Sequence, residues 1–187
     1  MSLHELIKFD TPSNYYATGA DSATDANANK GNSFVDNIRK VQSKRNLTIS
    51  PGNYLGLGVG LAIAELGILS GINFQGRVVL VDKIIQPKIP KKLGVNPIET
   101  VQMGLFNYLA TDTRLSKVSL MTAIGIDYLL DNEGALAGFL TLAARKLAQN
   151  SLLLIYPLNN ESYSNSATGY FEDMARPTDS IRLLVKK

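Results

Sequence analysis

The chain has 187 residues, 45% of them apolar and 19% charged, with 19 Lys plus Arg against 16 Asp plus Glu for a formal charge of +3. That is material for one soluble domain with a sizeable core, and it excludes global disorder. Cysteine is absent and His4 is the single histidine, which excludes disulfide scaffolds, thiol nucleophiles, iron–sulfur clusters, cysteine-ligated zinc and a His-based triad within one chain.

Residues 1–9 carry Glu5 and Lys8 and lack the long apolar core of a secretory signal, so a cytoplasmic setting is the expectation. The next 24 residues, 10–33, contain no Val, Ile, Leu, Met or Phe. Such a segment buries little against its ordering entropy, so residues 1–33 are expected to form a flexible N-terminal arm. The arm is either a passive extension or a lid in which Tyr15 and Tyr16 close over a ligand. Residues 34–187 then make up a single domain.

Phe34, Ile38 and Val41 fall at helical spacing and predict a short amphipathic helix over 34–46, with Ser33 as its cap. Its basic residues Arg39, Lys40, Lys44 and Arg45 make a solvated face or meet phosphates. Residues 54–72 are the most apolar window, and Glu65 is their only charge, so length alone permits a membrane span. Five glycines in the window, and a buried-strand pattern ending in Asp82 directly after it, favour strand, glycine turn, helix and strand over 53–82. Glu65 is then expected to face solvent or cap a neighbouring group.

Pro87, Pro90 and Pro97 mark a loop-like region, followed by a short helix or strand over 105–110. Residues 118–126 read as a buried strand, 133–148 as a helix and 151–156 as a further strand. Residues 181–185 can add an edge strand. Alternating strands and helices imply an α/β fold, a three-layer sandwich with a mostly parallel sheet, because right-handed crossovers place helices on both faces. In such sheets a ligand lies beyond the carboxyl ends of the strands, where the glycine turn falls.

Gly56, Gly58 and Gly60 alternate where strand gives way to helix, so the backbone can bend sharply and a ligand can lie against it. The pyrophosphate fingerprint G-x-G-x-x-G/A fits neither register, since Leu61 or Ile63 would have to be small. G-x-G-x-G/A does fit residues 58–62, and Asp82 ends the next strand 22 residues after Gly60. This arrangement resembles the Rossmann-like S-adenosylmethionine-dependent methyltransferases. The resemblance continues through 118–130, 135–147 and 151–156, covering roughly 54–157.

It implies S-adenosylmethionine as cofactor, with Gly56, Gly58 and Gly60 under its methionine part and Asp82 accepting from both ribose hydroxyls. A carboxylate offers two acceptor oxygens to a vicinal diol. Gly56 departs from the family pattern, which usually carries an acid two residues before the first motif glycine. Gln149-Asn150-Ser151 replaces a common Pro-Gly-Gly, and Asn107 or Asp112 is the candidate for the adenine amino group. Residues 123–128 are not the Asp/Asn-Pro-Pro-aromatic run of base and glutamine methyltransferases. Residues 153–156 lack the lysine of a ribose-methylating tetrad.

If the cofactor binds, the reaction is methyl transfer to an unidentified acceptor, and alignment supplies most of the rate. No catalytic residue is assigned. Asp127, Tyr128 and Tyr156 line the acceptor pocket or are ordinary loop polar residues. Residues 77–92 hold five basic residues against one acid, a place for nucleic acid or an acidic partner, or a solvated loop. The alternatives are a non-catalytic Rossmann-like binding or scaffold protein and a nicotinamide-dependent oxidoreductase. The latter is disfavoured by the glycine spacing and the lack of an evident Tyr-x-x-x-Lys pair.

Overall fold

Residues 78–82 are buried one after another, as a central strand covered on both faces requires. The computed structural model builds the molecule around this strand and describes residues 1–8, 10, 31–85, 88–126, 132–158, 169–175 and 181–187. Among them the elements are α1 (Leu3–Lys8), α2 (Gly31–Arg45), β1 (Gly52–Leu57), α3 (Ile63–Gly71), β2 (Gly76–Asp82), β3 (Lys92–Leu93) and β4 (Asn96–Gln102). They continue as α4 (Leu105–Thr111), β5 (Val118–Ile124), α5 (Glu133–Lys146), β6 (Leu147–Tyr156), β7 (Phe171–Ala175) and β8 (Arg182–Lys186).

The strands form one sheet in the order β3-β4-β2-β1-β5-β6-β8-β7. β4, β2, β1, β5 and β6 run parallel, while β3 and β8 run antiparallel to their neighbours. Successive strand residues point to opposite faces, and two cores result. Tyr54, Val78, Leu80, Leu120 and Leu154 pack with Phe34 and Ile38 of α2 and Ile68 of α3. Leu55, Leu57, Val79, Met121 and Leu153 pack with Leu6 of α1, Phe106 of α4 and Phe139 of α5. The fold is thus the expected three-layer α/β sandwich with a mostly parallel sheet.

Several boundaries differ from the sequence expectation. α2 begins at Gly31, so Ser33 lies inside it, where its carbonyl and hydroxyl oxygens accept from Asn37 Nδ2. The strand over 182–186 is not at the edge: β8 sits between β6 and β7, and Leu183 and Leu184 are buried on opposite faces. The true edge there is β7. The proline-marked region contains β4, a parallel partner of β2 whose polar residues Asn96, Glu99 and Gln102 hide its strand pattern. Of the expected arm, residues 9 and 11–30 lie outside the described residues; Leu3–Lys8 is helical and Asp10 is buried.

Candidate functional site

β1 ends at Leu57 and the chain must reverse to enter α3 at Ile63. Gly58 and Gly60 make the bend with φ of +67° and +52°, a region that side chains other than glycine's enter at a cost. Gly58 N–H donates to Val81 O at 2.9 Å and Ala62 N–H to Val59 O at 2.7 Å. Asp82 completes the turn. Its Oδ2 accepts from Gly60 N–H at 2.9 Å and its Oδ1 from Ile84 N–H at 3.0 Å.

Asp82 is 3% exposed. Its first role, which the sequence did not reveal, is to lock the glycine turn from the neighbouring strand. A carboxylate has two oxygens with two lone pairs each, so one accepted N–H per oxygen is compatible with a diol as a further donor. The two sides of the turn differ. A Cβ on Gly58 would stand 2.3 Å from Ile126 Cγ2, whereas one on Gly60 would meet nothing within 4 Å among the described residues. The turn is closed over Gly58 and open over Gly60, beside Asp82.

Below the turn lies a buried polar group of three residues on the α3 face of the sheet. Tyr54 Oη and Thr122 Oγ1 share a hydrogen bond of 2.5 Å. Glu65, in the first turn of α3, is 2% exposed rather than facing solvent. Burial, then the charge of Asp82, pushes the Glu65 carboxyl up to about 8, while its own backbone N–H opposes the rise. Burial, then Glu65, raises the Tyr54 phenol well above its ordinary value. None of these residues was identifiable as a site residue from spacing, because an acid at the third position of a helix reads as an ordinary first-turn residue.

The remaining candidates fall in three places. Gly56 sits on β1 between Leu80 and Thr122, two residues before the turn. Tyr156 ends β6 at the carboxyl edge, 9% exposed, with its ring edge-on to Phe34 at 5.3 Å. Asp127 and Tyr128 lie outside the described residues. Asn107 is in the first turn of α4, just beyond the carboxyl end of β4. Asp112 is at the opposite end of α4, paired with Arg114 at 2.5 Å; it is at the amino edge and cannot reach a ligand over the turn.

Asp10 was not foreseen as a site residue. It accepts from Phe106 N–H at 3.3 Å and Asn107 N–H at 3.0 Å, capping α4 from 96 residues away. Burial raises its carboxyl group, against those hydrogen bonds and Lys83. The basic residues of 77–92 do not form one patch. Arg77 starts β2 at the amino edge, bonded to Glu99 at 2.6 Å, and Lys83 follows the other end of that strand beside Asp82.

No protein-family model matches the sequence, and no curated protein matches it at a significant level. Solved structures do match in fold. An O-methyltransferase family protein from Burkholderia thailandensis aligns with 99% of this chain and 66% of its own, at 12% identity and a TM-score of 0.59. TrmN from Thermus thermophilus gives 80% and 48%, 13% identity and 0.57. The N-methyltransferase NodS from Bradyrhizobium japonicum gives 79% and 89%, 12% identity and 0.52. The chain spans about half the length of TrmN. It has the Rossmann-like fold of S-adenosylmethionine-dependent methyltransferases. Among the described residues no helix is long and apolar enough to cross a membrane.

Proposed function

We propose that the chain binds S-adenosylmethionine over Gly60, with the ribose hydroxyls on Asp82, and transfers the sulfonium methyl group to an acceptor nucleophile. The observation that supports this most is an open, left-handed glycine hydrogen-bonded to a buried carboxylate at the end of the adjacent strand. When bound, the cofactor supplies an electrophilic methyl group whose carbon–sulfur bond breaks with its electron pair left on sulfur, as the nucleophile forms the new bond.

The chain's own contribution is alignment. Gly60 lets the ligand approach the backbone, and the Gly60 and Ile84 N–H groups hold the Asp82 carboxylate in a fixed orientation towards it. Gly58 and Gly56 shape the bend that leads there. Asp127, Tyr128 and Tyr156 line the acceptor side, a placement supported for Tyr156 by its position at the carboxyl end of β6. The acceptor is a nucleophile of unassigned class, with Lys83 and the lysines after it as the place where nucleic acid or an acidic partner docks. A cytoplasmic setting belongs to the same reading.

A second reading has its own observation. Both Asp82 oxygens already accept backbone N–H groups and Gly56 carries no acid, as a protein that keeps the fold without turnover would tolerate. Calorimetric titration with S-adenosylmethionine, its demethylated product and NAD separates the cases. Heats from the first two and none from NAD support cofactor binding. No heat from any of the three favours the fold kept without turnover, and saturable NAD binding without the others overturns the cofactor reading in favour of an oxidoreductase.

A further inference from the structure

Glu65 is an acid in an apolar core, packed against the backbone of Gly56. Its Cγ stands 3.3 Å from where a Cβ on Gly56 would lie, and Val59 Cγ1 and Leu80 Cδ2 close the same slot at 2.9 and 3.0 Å. Glycine at 56 therefore lets Val59, Leu80 and the Glu65 side chain pack directly against the β1 backbone, just before the turn. Among the described residues, the ionisable groups that interact with Glu65 are Tyr54 from β1 and Asp82 from β2. Thr122 from β5 is bonded to Tyr54, and α2 contributes Phe34, Ile38 and Val41 to this core. Among these described residues no cation balances the carboxyl group, and an ionised carboxylate there is expensive.

A glutamine or methionine of similar size would pack in the same place without that expense. The carboxyl group is explained if something else uses its charge. We propose that Glu65, buried against Gly56 directly behind the glycine turn, is the buried counter-charge for a cationic ligand group lying over Gly60. In the ligand-free protein it carries a proton at neutral pH, as its burial and the neighbouring Asp82 require. A sulfonium or ammonium group arriving across the turn favours the carboxylate, and the proton passes to bulk buffer. Ligand binding and proton release are thereby one linked event. The inference rests on the S-adenosylmethionine reading for its ligand, but it makes a separate demand.

The test is titration calorimetry of the full chain with S-adenosylmethionine at pH 7, in two buffers of different ionisation enthalpy. The wild-type protein should release on the order of 0.5–1 proton per ligand bound, and its affinity should rise by up to about tenfold per pH unit between pH 6 and 8. The demethylated thioether, which lacks the sulfonium charge, should release less. Glu65→Gln should bind without that release and without that pH slope. Binding with no proton release by the wild-type protein, or release that persists in Glu65→Gln, overturns the proposal while leaving the cofactor reading intact. Absence of binding by any of these ligands overturns both. Carbon-13 NMR of the glutamate carboxyls provides a ligand-free check. A neutral Glu65 at pH 7 supports the proposal, and an ionised one refutes it.

Discussion

The two edges of the sheet handle their charges in opposite ways. At the amino edge, Asp112, Arg114, Glu99 and Arg77 pair with one another at 2.5, 3.3 and 2.6 Å, and every side chain of the set but that of Asp112 is about a third or more exposed. At the carboxyl edge, Asp82 is bonded to backbone N–H groups, and Glu65 is buried beside it with a backbone N–H and Tyr54 for polar neighbours. Exposed pairs in high dielectric contribute little and tolerate change. Buried acids held by fixed dipoles cost stability, and they keep a field ready for a ligand. That difference sets the carboxyl edge apart as the candidate site before any ligand is considered.

Breaking the turn should have the largest effect on folding. Gly58→Ala combines a left-handed φ with a contact against Ile126 Cγ2. It should destabilise the protein by about 2–4 kcal/mol in urea unfolding. Loss of stability well below that would mean that the turn is more yielding than its closed side implies.

Glu65 sharpens the comparison through pH. Its folded pKa is raised above the unfolded value of 4.5, to about 8, so the native state binds the extra proton in that window. The stability it contributes is present below pH 4.5 and is lost as pH rises towards 8, at up to about 1.4 kcal/mol per pH unit. Unfolding of wild type and Glu65→Gln at pH 5, 6, 7 and 8 should show the gap widening in favour of Gln. A constant gap would place an ionised Glu65 in the core.

Gly60→Ala separates folding from binding. Among the described residues nothing obstructs the added methyl group, so the left-handed φ alone should cost about 1 kcal/mol of stability. The same methyl group occupies the open side of the turn and should weaken S-adenosylmethionine binding by a larger factor than the stability loss. At the amino edge, Arg77→Ala should give the smallest change of the set, within about 1 kcal/mol in unfolding, and leave ligand affinity unaltered.

The central strands and the glycine turn were legible because their signals are local. The apolar run before Asp82 and the glycines at 58 and 60 state what the backbone needs there. β4 was missed because polar residues fall on both of its faces, Asn96 and Gln102 on one and Glu99 on the other, and no apolar alternation survives to mark a strand. β8 was placed at the edge because its order relative to β7 is decided by a connection across the sheet, not by its own residues. Long-range partners explain the rest. Asp10 caps a helix 96 residues away, and Glu65 gains meaning only once Gly56 is opposite it.

The central claim is that the pairing of Gly60 with Asp82 is a ligand site and not only a folding device. The affinity of folded Asp82→Ala for S-adenosylmethionine, compared with wild type by calorimetry, tests it most directly. Hydrogen bonds to a charged acceptor are worth about 1.5–3 kcal/mol, so affinity should fall by roughly one to two orders of magnitude while circular dichroism still reports the native fold. Unchanged affinity in that folded variant would contradict the account.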